Sequence, residues 1–304
     1  MTIAIHTEGL YKTYGSLNAV CGLSITVKQG EVFGLLGPNG AGKSTVVDIL
    51  RGATLPSGGQ VHVFGDVPGA KCLRRCTGFL PAEMPRSRLS TVANFLATAA
   101  RRSGIPRTEL SDAVKEALRT VGLVDNATDR LVSLSSSMEQ RLRVAAALVH
   151  RPDLVVLDEP ASLLDLAGQQ TIREIILGLQ SRGTAVLLTA NHVGEVEMCS
   201  NSIAIMKNGK AGFVGNPAEI FASATVIDVE VEKLNDAALS AIRTLAAKMK
   251  FQSVPIQQFS VWLKSDQDIP ELASAIVTNG VRLGQLTPRR ETVDERYRQV
   301  VESL

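Results

Sequence analysis

Gly37-Pro38-Asn39-Gly40-Ala41-Gly42-Lys43-Ser44-Thr45 has the residue types and spacing to grip phosphate. Gly37, Gly40 and Gly42 let the main chain wrap an anion and aim its N–H groups inward. The stretch follows the apolar run Val32 to Leu36 and precedes Val46-Val47-Asp48-Ile49-Leu50, so it reads as strand, loop, helix. A helix opening near Lys43 adds the positive end of its dipole. Lys43 can reach terminal phosphates, and Ser44 offers a hydroxyl to a magnesium ion. The alternative is a glycine-rich turn that merely joins strand to helix; the complete pattern in its required context argues against it.

A second group with chemistry ends the run Leu154-Val155-Val156-Leu157-Asp158-Glu159-Pro160. Asp158, at the end of a buried strand, suits a magnesium ion held directly or through water. Glu159 suits the base that orients and deprotonates a water attacking phosphate. Alone, the pair reads equally well as two strand-end carboxylates in a solvated loop. Beside a phosphate loop it predicts a nucleotide triphosphatase.

Positioning these groups requires a sheet. Ile3 to His6, Gly22 to Val27, Val32 to Leu36, Gln60 to Phe64, Gly78 to Pro81, Leu154 to Leu157 and Ala185 to Thr189 read as strands. Helices are expected from Lys43 to about Arg51, through Leu110–Val121, from Met138 to about Val149, and from about Gly168 to Gln180. Apolar runs alternating with helices predict an α/β fold with a mostly parallel sheet. Ile203 to Met206 and Ala211 to Val214 flank Asn208-Gly209, a hairpin signal. From about residue 223 onward the order is strand, helix (Asp236 to Lys248), strand near Phe251 to Val254, strand (Ser260 to Lys264), helix (Ile269 to Thr278), strand (Val281 to Leu286). That βαββαβ order predicts a small ferredoxin-like domain, followed by a charged helix from Glu291 to Val300. The expected division is therefore 1–222, with a helical subdomain at about 83–151, and 223–304.

Bulk properties narrow the partners. The chain's 304 residues suffice for one large and one small core. Lys and Arg total 32 against 30 Asp and Glu, which gives no electrostatic reason to expect nucleic acid. Aromatics at 4% leave no base-stacking platform. Cys21, Cys72, Cys76 and Cys199 match no zinc spacing and read as reduced thiols of a cytosolic protein. No run approaches the about 18 apolar residues of a membrane span, and Met1 to His6 lacks the features of a signal peptide. Any link to a membrane would run through a partner.

Taken together, these motifs resemble the ATP-binding subunit of ATP-binding cassette transporters, over residues 3 to about 220. The resemblance implies a P-loop core with a mixed sheet and helical subdomain, ATP and Mg2+ as ligands, and an ATPase dimer on a membrane permease. It implies that Tyr14, beside Gly15, stacks on adenine, a core position being the alternative. Asp165, in Ser162-Leu163-Leu164-Asp165, matches the dimer-contact loop, and His192 matches the histidine at the terminal phosphate. Two stretches depart from the pattern. Leu80-Pro81-Ala82 carries alanine where the family has a magnesium-binding glutamine, and Glu83 follows. Leu134-Ser135-Ser136-Ser137-Met138 stands where a Leu-Ser-Gly-Gly-Gln signature meets the ATP of the other subunit. Ser136 and Ser137 put Cβ atoms where bare backbone should meet phosphate, although serine is also a plain helix N-cap.

Thr292-Val293-Asp294-Glu295-Arg296-Tyr297 loosely resembles the tail of subunits serving two-component exporters of drugs or cell-surface polymers; an ordinary amphipathic terminal helix is the other reading. The leading expectation is an ATPase subunit at the cytoplasmic face of the membrane, paired as a homodimer or heterodimer and powering an exporter. A weakly hydrolysing regulatory subunit and a soluble cassette ATPase acting on ribosomes or DNA are the alternatives.

Overall fold

Alternating burial along Ile3–Tyr14 (β1) and Leu17–Lys28 (β2) makes a long antiparallel hairpin that turns at Gly15. In this computed structural model, residues 2–82, 84, 90–162, 164–221, 225–251, 258–263 and 266–302 are described. They fall into two compact units, Met1–Glu219 with Gln299–Leu304, and Ile220–Arg298.

In the first unit, the wholly buried strand Val32–Leu36 (β3) runs through the glycine loop into Lys43–Leu50 (α1). Gly58–Val63 (β4) returns to pair with β1, giving a three-stranded antiparallel sheet in the order β2-β1-β4. Thr77–Phe79 (β5) is followed by Val92–Arg102 (α2), Leu110–Thr120 (α3) and Ser136–Leu148 (α4), helices that pack on one another. Then come Leu154–Asp158 (β6), Leu166–Ser181 (α5), Ala185–Ala190 (β7), Val193–Glu197 (α6), and the hairpin Ser202–Lys207 (β8) and Lys210–Gly215 (β9). Among the described residues these strands form a six-stranded sheet, β5-β6-β7-β3-β8-β9, parallel throughout except for β9. A shared core binds the two sheets: Leu10, Val20 and Leu23 from the hairpin meet Phe33 and Leu35 of β3 and Val46 and Ile49 of α1. Burying apolar faces of two sheets and a helix against one another is the main stabilising term here.

Pro217–Phe221 (α7) leads out of that unit. The second contains Thr225–Val231 (β10), Asp236–Leu245 (α8), Ala246–Phe251 (β11), Gln258–Leu263 (β12), Ile269–Thr278 (α9) and Leu283–Arg290 (β13). The sheet order is β11-β12-β10-β13, with every neighbouring pair antiparallel, a ferredoxin-like arrangement. One sheet face (Ile227, Val229, Val231, Phe259, Val261) packs on Ala238 and Ile242 of α8 and Leu272 and Ile276 of α9. The helix expected to reach Lys248 ends at Leu245, because Ala246–Phe251 pairs with β12 as an edge strand. The expected strand at Phe251 to Val254 lies largely outside the described residues.

The Thr292–Tyr297 motif has a structural account. Val293–Glu302 (α10) opens with a reciprocal pair: Glu295 Oε2 accepts from the Thr292 N–H at 3.0 Å, and Thr292 Oγ1 accepts from the Glu295 N–H at 3.3 Å. Arg289 forks onto both Glu295 oxygens at 2.8 and 2.9 Å and onto Asp228 at 2.7 Å. These hydrogen bonds hold the Glu295 carboxyl down at about 2. A depressed carboxylate stabilises the fold above its unfolded pKa of about 4.3 and loses that contribution as pH falls towards the folded value. Glu295→Gln should therefore destabilise the protein at neutral pH, and the gap from wild type should close between about pH 4.3 and 2. Chemical denaturation across that range, wild type against variant, measures it.

Candidate nucleotide site

β3 lies inside the parallel sheet between β7 and β8, and the glycine loop leaves its carboxyl end. Register pairs Leu36 with Ala190 and Asp158 with Thr189, so the ends of β3, β6 and β7 open on one edge. Parallel sheets bind ligands at that edge. Two loop positions require glycine outright. A Cβ on Gly37 would strike the Met206 carbonyl oxygen, and one on Gly42 would strike that of Ala19. Gly42 also has φ 104°, a left-handed value. No side chain caps α1, so the N–H groups of its first turn face outward with Ser44 exposed beside them.

The Lys43 side chain is only 4% exposed. Its ammonium donates to Asn191 Oδ1 at 2.6 Å, to the Gly37 carbonyl at 2.7 Å and to the Pro38 carbonyl at 3.2 Å, with Glu159 Oε1 3.5 Å away. Burial pulls the Lys43 pKa below the ordinary lysine value, and Glu159, Asp158 and Glu195 oppose that shift. Thr189, fully buried, ties the two acidic residues together. Its hydroxyl donates to Asp158 Oδ1 at 2.5 Å and accepts from the Glu159 N–H at 2.9 Å. Glu159 takes φ 48°, a strained value for a residue with a Cβ, and is held there from both sides. Its N–H is bound by Thr189, and its carbonyl accepts from Ser162 Oγ at 3.0 Å.

The structure therefore brings Gly37, Ala41, Gly42, Lys43, Asp158 and Glu159 into one site, with Pro38, Asn39 and Gly40 exposed at its lip and Thr45 half-buried in α1. His192, next to Asn191, is exposed and is the N-cap residue of α6. The residue that meets Lys43 is its neighbour Asn191, which the sequence reading passed over. Its position one residue beyond the last residue of β7, whose end lies beside Leu36, was the available signal. Glu195 was also missed; burial raises its carboxyl pKa, and its Oε2 is buried without a hydrogen-bond partner. Tyr14 is 46% exposed at the end of β1 with the Lys12 ammonium 4.8 Å from its ring centre, so it is not a core residue. Asp165 is the N-cap of α5, accepting from the Gly168 N–H at 2.9 Å. Ser135 caps α4 by accepting from the Met138 N–H at 3.2 Å, which leaves Ser136 exposed and Ser137 half-buried in its first turn. Ala82 is exposed in a bend. Glu83 and Leu163 lie outside the described residues.

Known proteins resemble this chain in sequence and fold. The ABC transporter family model matches residues 20–162. The linearmycin resistance ATP-binding protein LnrL of Bacillus subtilis is 32% identical over 247 residues, spanning 80% of this chain and 79% of that protein. The chain belongs to the ABC transporter family. It is an ATP-binding subunit of that family, an ATPase, and among the described residues no helix is long and apolar enough to cross a membrane. Another ABC relative, the Nod factor export ATP-binding protein I of Ralstonia nicotianae, is 35% identical over 250 residues, 82% of this chain and 77% of its own. Among solved structures, cbiO1 from Clostridium perfringens, described as part of the ABC transporter complex cbiONQ, superposes with a TM-score of 0.65 at 26% identity, over 73% of this chain and 92% of that one. A dimeric bacterial ABC transporter cassette matches at TM-score 0.64 and 21% identity, over 70% and 98%, a likeness of fold.

Proposed function

We propose that this chain hydrolyses ATP at the Gly37–Thr45 loop to drive a separate membrane permease, working as an exporter from the cytoplasmic face. The observation that carries this reading is the buried Lys43 ammonium, set in a glycine cradle within 3.5 Å of Glu159. The loop N–H groups and the first turn of α1 take the phosphates, Lys43 balances their charge, and Tyr14 offers a stacking face for adenine. The residues present fit a magnesium ion: Ser44 is exposed at the helix start, and Asp158 has one oxygen committed to Thr189 and the other left for a cation. When bound, the metal neutralises charge on the phosphates. Glu159, fixed by Thr189, accepts the proton of the attacking water. Asn191 keeps Lys43 oriented, while His192 borders the site from the start of α6.

A cleft of about 1280 Å³ supports the permease reading. Its apolar lining includes Leu50, Phe79 and Phe95, and Arg51, Arg74 and Arg102 supply charge. A cytoplasmic segment of the permease fits there, its apolar side inward and carboxylates toward the arginines. Purification of the tagged chain from detergent-solubilised membranes tests the reading. A polytopic membrane protein should co-purify; a chain that stays in the soluble fraction with no such partner overturns it. The exporter assignment rests on the names of the two relatives, linearmycin resistance and Nod factor export.

The serine run favours one refinement. In a dimer whose two sites each combine one chain's loop with the other's signature helix, Ser136 and Ser137 weaken the site that receives them, and Asp165 stands in the dimer loop. A homodimer is then slow, and a heterodimer keeps one fast site. Removing one oriented donor lowers kcat by about 10²–10³-fold, so Ser136→Gly with Ser137→Gly should raise turnover of the isolated chain by at least about tenfold. Phosphate release measured with and without the double substitution decides it; unchanged turnover would leave the serines as helix capping alone.

A further inference from the structure

α4 connects two places the reaction needs. Near the start of the helix, Gln140 is 2% exposed and donates through Nε2 to the Pro160 carbonyl at 2.9 Å and the Glu159 carbonyl at 3.4 Å. One turn on, each of the three guanidinium nitrogens of Arg143 donates a hydrogen bond. Nη1 donates to Gln140 Oε1 at 2.7 Å, Nε to the Pro81 carbonyl at 2.8 Å, and Nη2 to the Ala82 carbonyl at 3.0 Å. Pro81 lines the arginine-bearing cleft, as do Ala146 farther along α4 and His150 in the turn just beyond its end. An unbroken chain of hydrogen bonds thus runs from the cleft wall, through one arginine and one buried amide, to the backbone of the strained Glu159.

From this geometry we infer that Arg143 is a positioning residue for the general base, linking the cleft wall to Glu159 by backbone contacts. By holding Gln140 Oε1, it fixes which end of the amide faces the Glu159–Pro160 turn, so that the NH2 group meets both carbonyls. Those contacts, with Thr189 and Ser162, keep Glu159 at φ 48° with its carboxylate near Lys43. Its other two contacts hold Pro81 and Ala82 by their carbonyls, at the point where Ala82 offers no polar side chain. A shift of the loop at Pro81–Ala82 therefore moves the guanidinium, then the amide, then the base. A rigid planar fork suits this role, since all three donors are fixed relative to one another.

The inference rests on Glu159 being the base, and its test separates the two. The full chain is assayed for phosphate release with magnesium and ATP, with ATP affinity and melting temperature measured alongside. Misplacing a reacting group by about 1 Å costs about 10²-fold, so Arg143→Ala should lower kcat by about 10-fold or more while KM and ATP affinity stay within about twofold. Arg143→Lys, keeping the charge and part of the reach, should recover part of the loss. Gln140→Met, which keeps volume without hydrogen bonds, should lower kcat similarly, and the double variant should be no slower than the worse single one. Unchanged kcat in Arg143→Ala, a loss carried by KM, or additive losses in the double variant would overturn the inference. If Glu159→Gln itself hydrolyses normally, the assignment of the base fails instead, whatever Arg143 does.

Discussion

Glu159→Gln should lower ATP turnover by about 10²–10⁴-fold, the usual worth of a positioned general base, and leave nucleotide binding intact. The reasoning is local. Glutamine has the length and shape of glutamate, so Pro160, the Gln140 contacts and the Thr189 hydrogen bond to the backbone N–H all persist. What is lost is the proton acceptor and the negative charge 3.5 Å from the Lys43 ammonium. Without that charge, Lys43 is freer to meet phosphate, so affinity for ATP should hold or rise while release of phosphate collapses. Rapid-quench measurement of phosphate formation, with ATP affinity determined by calorimetry on the same preparation, provides both readouts. Wild-type turnover in the variant would remove Glu159 from the mechanism and return Asp158 and Glu159 to the bland reading of two strand-end carboxylates.

How much of this was legible in the chain depends on where the information sits. The strand, glycine loop and first helix follow from local signals, and β3 and α1 fall within a residue of the expected bounds. The α9 helix, Ile269–Thr278, agrees outright, since Pro270 marks its first turn and the apolar spacing is regular. The β1–β2 hairpin was underestimated at both strands. Register shifts, as between Thr7 and Leu10, break the alternation from which strand length is read. At β11 the residues Ala246-Ala247-Lys248 are good helix formers, and pairing with β12 overrides that preference.

The site divides the same way. Lys43, Asp158 and Glu159 sit in contiguous patterns and were readable as chemistry. Asn191 was eclipsed by a histidine next to it whose residue type suits catalysis better, yet the first position beyond β7 is the one that meets Lys43. Gln140, Arg143 and Thr189 act through contacts made only when α4, β6, β7 and the Pro81–Ala82 bend come together, and no spacing along the chain announces them.

Lys43→Ala should remove hydrolysis and weaken ATP binding, and the structure says why no other cation can replace it. The ammonium occupies a pocket of oxygen acceptors: Asn191 Oδ1, two loop carbonyls and Glu159. Those acceptors hold it at the loop's centre, so it has only to exchange a carbonyl for a phosphate oxygen as ATP binds. Alanine leaves the buried Gly37 carbonyl without its ammonium donor and Glu159 without its counter-charge, which then repels the triphosphate. Arginine keeps the charge, but its planar fork is too broad for a niche built around a compact ammonium, so Lys43→Arg should fail nearly as completely. Loss of one charge-stabilising donor corresponds to about 10²–10³-fold in kcat, and the added repulsion should carry the Lys43→Ala variant below detection. Calorimetric titration with ATP and a phosphate-release assay read the two effects separately. Unaltered ATP affinity in Lys43→Ala would mean that the nucleotide lies elsewhere on the chain, and the glycine loop would be a turn between a strand and a helix.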